Sequence, residues 1–296
     1  MPKGIALDKQ GRLKDRVAMT DTNLLLTITV VVFFILYLSA VFFLGGSFAK
    51  PQNFLNILNN NASLIVLSCG MSIVMITGGI DISMGAVTSL VCMVCAVNLE
   101  QQGGNMLTVI LIGLGIGLAF GVVQGFLVAH LGIQPFIISL AGMFFAKGMT
   151  TIVSKEPIRV TNEGFLAVKD TRVIVPGLGS PNKLGVYIPA YVEVGVVIAL
   201  LVVVLLFCML RWTKLGRAFY AVGGNNQSAN MLGINVRRTK FLAHVLCSLL
   251  AGLGGILYFL HVGSGDVANG AGDEMNAIAS SIIGGTLLTG GVGNVV

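Results

Sequence analysis

Between Lys50 and Lys147 the chain carries two charged side chains, Asp81 and Glu100, and no basic residue. Such a stretch cannot make a soluble surface, since ordinary soluble domains are about 25% charged. It divides instead into apolar runs near the roughly 20 residues that cross a bilayer core. The pattern continues along the chain, which is 55% hydrophobic and only 10% charged over its 296 residues. Spans are expected at 24–44, 57–77, 83–99, 106–128, 135–153, 190–210 and 240–262, with an eighth starting near 275. The fold class is therefore an all-α integral membrane protein, a polytopic helical bundle. The run from Leu24 to Leu44 is too long for the apolar core of a signal peptide and is read as an uncut first span.

The basic residues orient this bundle. Five lie in the tail before Asp21 (Lys3, Lys9, Arg12, Lys14, Arg16) and six between 211 and 240 (Arg211, Lys214, Arg217, Arg237, Arg238, Lys240), where no acid accompanies them. Cytoplasmic loops hold the excess of Lys and Arg, so both regions are expected inside. Counting spans from the tail independently puts 211–239 inside and 154–189 outside. The chain then reads as a cytoplasmic tail (1–23), a first transmembrane half (24–153), an extracytoplasmic loop (154–189) and a second transmembrane half (190–296) containing the basic loop 211–239. The net charge of +6 comes from these clusters; the partner it implies is the lipid bilayer, and no nucleic acid. The outer loop mixes five basic and three acidic residues with four prolines, and reads either as a solvated linker or as a docking surface for an extracytoplasmic partner.

Several chemistries find no residues to carry them. The five cysteines fall inside apolar runs and read as small hydrophobic side chains. Cys92 and Cys95 form a CxxC, but no second pair and no histidine at metal spacing joins them. His130, His244 and His261 are scattered, without an HExxH, and there is no GxxxxGK[ST] phosphate loop. No enzyme activity, metal or cofactor is expected, and any ATP must be held by another subunit. Lys147 lies inside the fifth span near its outer end, where it snorkels to the interface. Gly113, Gly117, Gly121 and Gly125 strip one face of the fourth span of side chains, which lets another backbone approach. Cys247, Ala251 and Gly255 do something similar in the seventh.

Three polar motifs interrupt the apolar pattern. Residues 76–87 read ITGGIDISMGAV, and Asp81 there is either a turn residue capping the next helix or a charge in a broken helix lining a polar path. Residues 283–293, IGGTLLTGGVG, echo its glycine spacing. A repeat with an odd number of spans per unit would be inverted across the membrane, as in many transporters. The third motif, GGNNQSANMLGINVRR at 223–238, lies in the basic loop, with small and apolar residues between flexible glycines. A short amphipathic helix there would offer an apolar face to a cytosolic protein. On these residues alone a secondary transporter or channel not coupled to an ATPase, and a membrane scaffold, stay open as alternatives.

Taken together, GGIDISMG, GRAFYAVGGNNQSANMLGI and AIASSIIGGTLLTGGVG resemble the permease subunits of bacterial monosaccharide ABC importers, the ribose, xylose, galactose and galactofuranose group. LAGMFF at 140–145 and SANMLGI look most like the galactofuranose-type branch. The resemblance covers the chain from about residue 24 onward. It implies a permease of about ten spans, of which about eight would be present here, with relatives continuing beyond Val296 through about two more helices. It also implies a second permease chain (homo- or heterodimer), a cytoplasmic ABC ATPase, a periplasmic sugar-binding protein, and a multi-pass location in the bacterial inner membrane with the N-terminus cytoplasmic. Carried over residue by residue, Gly78, Gly79, Asp81, Ser83, Gly85, Gly284, Gly285, Thr286 and Gly290 match motifs near the translocation path. Gly223, Gly224, Asn225, Ala229, Asn230, Leu232, Gly233 and Ile234 match the loop that seats in an ATPase groove.

Overall fold

In the computed structural model the described residues are 27–43, 48, 50–181 and 187–295. The expected tail, 1–23, lies outside them. Six described helices are long and apolar enough to cross a membrane: α2 (Pro51–Ile76), α3 (Met84–Gln101), α4 (Met106–Ala129), α5 (Pro135–Val153), α7 (Val194–Trp212) and α10 (Val236–Val262). They follow the expected spans closely. Proline opens both α2 and α5, at the one helical position where its missing N–H costs nothing. Asn105 closes a capping box with Thr108 at the start of α4.

The described part of the first expected span, Thr27–Phe43, is a helix, α1, within the expected 24–44. One of the eight expected spans comes out differently. The eighth is not a span: α11 (Asp273–Ile283) has 11 residues and reaches only about 16 Å, half of a hydrocarbon core. Glycine sets both of its limits, Gly272 with φ +90° at the start and Gly285 with φ +91° just past the end. Those values suit only a residue without a Cβ. Between α10 and α11, residues 263–272 run without helix back along α3, and Gly265 packs on Met93 and Ala96 while Gly270 packs on Gly85 and Thr88. The Ser89 hydroxyl donates to the Asp266 and Val267 carbonyls at 3.1 and 3.0 Å, and Asn269 Nδ2 donates to Ser264 O at 2.8 Å. Backbone that has left its helix inside a bundle needs such partners.

Outside the helical bundle, the described residues of the 154–189 loop carry short strands and a short helix. β1 (Ile158–Arg159) pairs antiparallel with β4 (Ser264–Gly265), α6 (Glu163–Lys169) follows, and β2 (Arg172–Pro181) forms an antiparallel hairpin with β3 (Tyr187–Glu193). Val, Ile and Tyr at the paired positions favour strand over helix. This apparatus lies at one end of the bundle. There Gln52 at the start of α2 bonds Tyr191, Glu100 at the end of α3 takes the Thr161 and Asn162 amides, and Glu193 ahead of α7 bonds His261 at the end of α10. The basic segment is at the other end, where α8 (Lys214–Gly224) and α9 (Asn226–Met231) join α7 to α10. The six long helices therefore alternate in direction, as the parity of spans required.

α10 is the centre of the core, packed on α2, α3 and α4. The glycine face of α4 is what lets α10 in. A Cβ on Gly117 would lie 2.5 Å from Ser248 O, and one on Gly121 would lie 2.8 Å from Val245 Cα. Gly125 meets Phe241 in the same way, 3.0 Å from its carbonyl oxygen. On the α10 side Ala251 and Cys247 are fully buried, so small residues from both helices form the seam.

Candidate functional site

α2 ends at Ile76 because the next residues close a glycine cap. Thr77 N–H reaches back to Val74 O, Gly78 N–H donates to Met75 O at 2.9 Å, and Gly79 N–H donates to Val74 O at 2.9 Å, with Gly78 at φ +81°. α11 ends in the same arrangement: Gly284 N–H to Ser280 O at 2.9 Å, Gly285 N–H to Ile282 O at 2.9 Å and Thr286 N–H to Ser281 O at 3.0 Å. The glycine echo in the sequence is thus a repeated C-terminal cap, in which a left-handed residue lets the following amides satisfy the last carbonyls.

The α2 cap meets the turn that follows the α11 cap, and the basic segment meets both. A Cβ on Gly290 would stand 3.0 Å from Gly78 Cα and 2.9 Å from Gly223 O. One on Gly291 would stand 2.8 Å from Gly224 Cα. One on Gly223 would fall on the Ile76 carbonyl oxygen, which Gly291 N–H holds at 2.8 Å, and within 2.5 Å of Gly291 N. Tyr220, one turn earlier on α8, donates its hydroxyl proton to Gly293 O at 2.9 Å. Three motifs far apart in sequence therefore share one backbone-on-backbone contact at the α9 end of the bundle. Thr286 is buried beside it, its hydroxyl donating to Asn294 O at 3.3 Å.

Asp81 is completely buried. Oδ1 accepts from Ser83 N–H at 2.9 Å and from the Ser83 hydroxyl at 2.6 Å, while Oδ2 accepts from Ser248 Oγ at 3.3 Å on α10. Gln124 on α4 donates to Ser83 Oγ at 2.9 Å. The carboxylate therefore holds the turn into α3 and ties it directly to α10 and, through Ser83 and Gln124, to α4. Gly85 lies one turn further, its Cα face occupied by the Glu274 carboxylate; a Cβ there would also lie 2.5 Å from Gly270 O. Ser248, Gln124 and Glu274 were not singled out from the sequence. The available signal was their isolation as polar residues within apolar helices or beside one of the motifs.

The basic segment divides in two. Gly223 is packed inward, whereas Gly224 has open space at its Cα. Asn225 caps α9 by accepting from Ser228 N–H at 2.9 Å, and Asn235 caps α10 by accepting from Arg238 N–H at 2.9 Å. Ala229 faces inward at 1% exposure, while Met231 and Leu232 project at 87% and 78%. Asn230 and Gly233 are also exposed, Ile234 is half-buried, and Gly233 turns the chain at φ +79°. Lys147 is exposed on α5.

A polytopic bundle with a broken last element, glycine caps inside it and a short amphipathic helix projecting from one end belongs to the class of membrane permeases. Residues 53–296 match the family described as branched-chain amino acid transport system / permease component, and the chain belongs to that family. It is 37% identical over 278 residues to the inner membrane ABC transporter permease protein YjfF of Escherichia coli K12, covering 94% of this chain and 80% of that one. It is 34% identical over 277 residues to the fructose import permease protein FruG of Bifidobacterium longum, 93% and 79% of the two chains. It is also 34% identical over 256 residues to the ribose import permease protein RbsC of Escherichia coli K12, 86% and 75%. No solved structure matches the chain. The protein is a transmembrane permease subunit of an ABC importer and not an enzyme; ATP hydrolysis belongs to a separate ATPase, and such permeases work with an ATPase and a binding protein.

Proposed function

We propose that the solute is a monosaccharide and that the subunit moves it inward by alternating access. Relatives named for ribose and fructose import support the solute class. The basic α9 end is read as cytoplasmic, with the N-terminus on the same side, in a bacterial inner membrane. At the hairpin end, β2 and β3 face the periplasm and receive a sugar-binding protein. A second permease chain, identical or related, completes the membrane unit.

The observation that carries the mechanism is the shared glycine contact. α9, with Met231 and Leu232 exposed, seats in a groove of the ATPase. Closure of the ATPase pair displaces α9 and, through α8, Gly223. That residue bears on Ile76 and Gly291, so displacement shifts the 77–85 turn and the 284–290 turn together. In this reading these turns form the inner gate, with Asp81 and Ser83 holding the first turn in register and Gly78, Gly79, Gly284, Gly285 and Gly290 providing a surface without side chains. The test is co-purification from detergent of the full-length gene product with its ATPase, with 223–236 intact or replaced by a Gly/Ser linker, followed by sugar uptake in proteoliposomes. Retention of the ATPase by the linker form, or uptake without any ATPase, would remove this assignment.

A further inference from the structure

We infer that the membrane-depth part of the solute path is the groove between α2 and α11, and that its chemistry selects a neutral polyol. This rests on the monosaccharide reading but centres on serines of α2 and α11 to which the sequence assigned no role. Four hydroxyls meet there: Ser68 Oγ lies 2.7 Å from Ser280 Oγ, Ser72 Oγ donates to Ser281 Oγ at 3.1 Å, and Ser281 Oγ also reaches Ser68 O at 3.2 Å. They border a cavity of about 340 Å³ that continues past Asn61 toward the hairpin end and past Gly284 toward the glycine contact.

From Ile57 to Ser72 the groove follows α2 for about 22 Å, most of a hydrocarbon core of about 30 Å. Its lining interleaves uncharged amide and hydroxyl groups with aliphatic side chains, Ile57, Leu64 and Ile65 sharing a face of α2 with Asn61, Ser68 and Ser72. No Asp, Glu, Lys or Arg is among its described lining residues. An ion crossing there would lack a counter-charge. The serine hydroxyls bond one another and the Leu64 and Ala277 carbonyls, bonds that a sugar's hydroxyls replace while its C–H faces lie on the aliphatic side chains. The same groove ends where α11 is capped, beside the Ile76–Gly291 contact, so the proposed gate closes its inner mouth.

The experiment uses the full-length permease with its ATPase and binding protein in proteoliposomes. Ser68→Cys and Ser280→Cys are treated with a membrane-impermeant thiol reagent, with Glu156→Cys in the outer loop as an exposed reference and the unmodified protein as background. The expected result is reaction at both groove positions, slowed at least threefold by millimolar D-ribose, D-fructose or D-galactose, whichever is transported, with Glu156→Cys unaffected. Interhelical hydrogen bonding alone would not produce sugar protection. Groove cysteines that react no faster than background would overturn the inference, since another helix would then fill the groove. Reaction without protection by a transported sugar would overturn the polyol assignment. Failure of the unmodified transporter to take up any of the three sugars would count against the monosaccharide reading, while labelling of Ser280→Cys would still decide whether the groove holds water.

Discussion

Gly223→Ala and Gly224→Ala are the same chemical change on adjacent residues of one helix, and they should behave differently. In α8 each gains up to about 1 kcal/mol of helix propensity. At Gly224 nothing lies within 4 Å of the new methyl group. At Gly223 the methyl group falls on the Ile76 carbonyl and Gly291 N, and both are backbone atoms that cannot rotate away. Overpacking of this kind costs roughly 1–3 kcal/mol. Separating the end of α2 from the 289–291 turn also breaks the Gly291 N–H to Ile76 O bond of 2.8 Å, worth about 1 kcal/mol. After the propensity gain the docked arrangement is disfavoured by about 1–3 kcal/mol, a 5- to 150-fold change in its population. Sugar uptake and sugar-stimulated ATPase activity in proteoliposomes would read this, with ATPase co-purification confirming that the complex assembles. Gly223→Ala should transport poorly with the ATPase still bound, and Gly224→Ala should stay within about threefold of the unmodified protein, a span of under 1 kcal/mol. Equal uptake by the two variants would refute the argument that the glycine contact transmits motion.

Three further outcomes follow from the geometry. Asp81→Asn keeps an acceptor for Ser83 but places an N–H2 where Ser248 donates, so folded stability should fall by about 1–3 kcal/mol; an unchanged thermal midpoint in detergent would rule out a stabilising tie from Asp81 to Ser248 on α10. Gly117→Leu drives a side chain into Ser248 O and Gly252, and size-exclusion chromatography should show loss of monodisperse protein; a normal profile would mean that α4 and α10 do not pack closely. Met231→Ser with Leu232→Ser removes the exposed apolar tip of α9, and co-purified ATPase should drop at least tenfold, about 1.4 kcal/mol, while the permease itself stays folded.

Much of the bundle was legible because a bilayer makes apolar run length a direct ruler. The fourth span was expected at 106–128 and α4 is Met106–Ala129; the fifth was expected at 135–153 and α5 has those limits. Legibility failed where run length stops being the ruler. Residues 275–296 are apolar enough to suggest a span, yet two glycine-directed caps end α11 after 11 residues. The outer loop gave a mixed composition that pointed to no element, and only strand pairing between segments distant in sequence, such as β1 with β4, settles its form. The candidate site was readable as three motifs, but their convergence was not. Glycine carries no side-chain pattern by which one motif could signal that it packs on another. Gly233 shows the same limit at one residue: its match to the ATPase-seating loop says nothing of its φ of +79°, which makes backbone strain the first consequence of any substitution.

The unwound stretch 263–272 also bears on the order in which the protein is made. A continuous apolar helix can leave the insertion machinery for lipid on its own, because its backbone is satisfied internally. This stretch cannot, since two of its carbonyls are met by Ser89 of α3, along which it lies flat. α3 is synthesised well before it, so the late-emerging segment enters a slot whose wall already exists. Assembly of the last part of the chain is then a templated step, limited by how well the first part has folded.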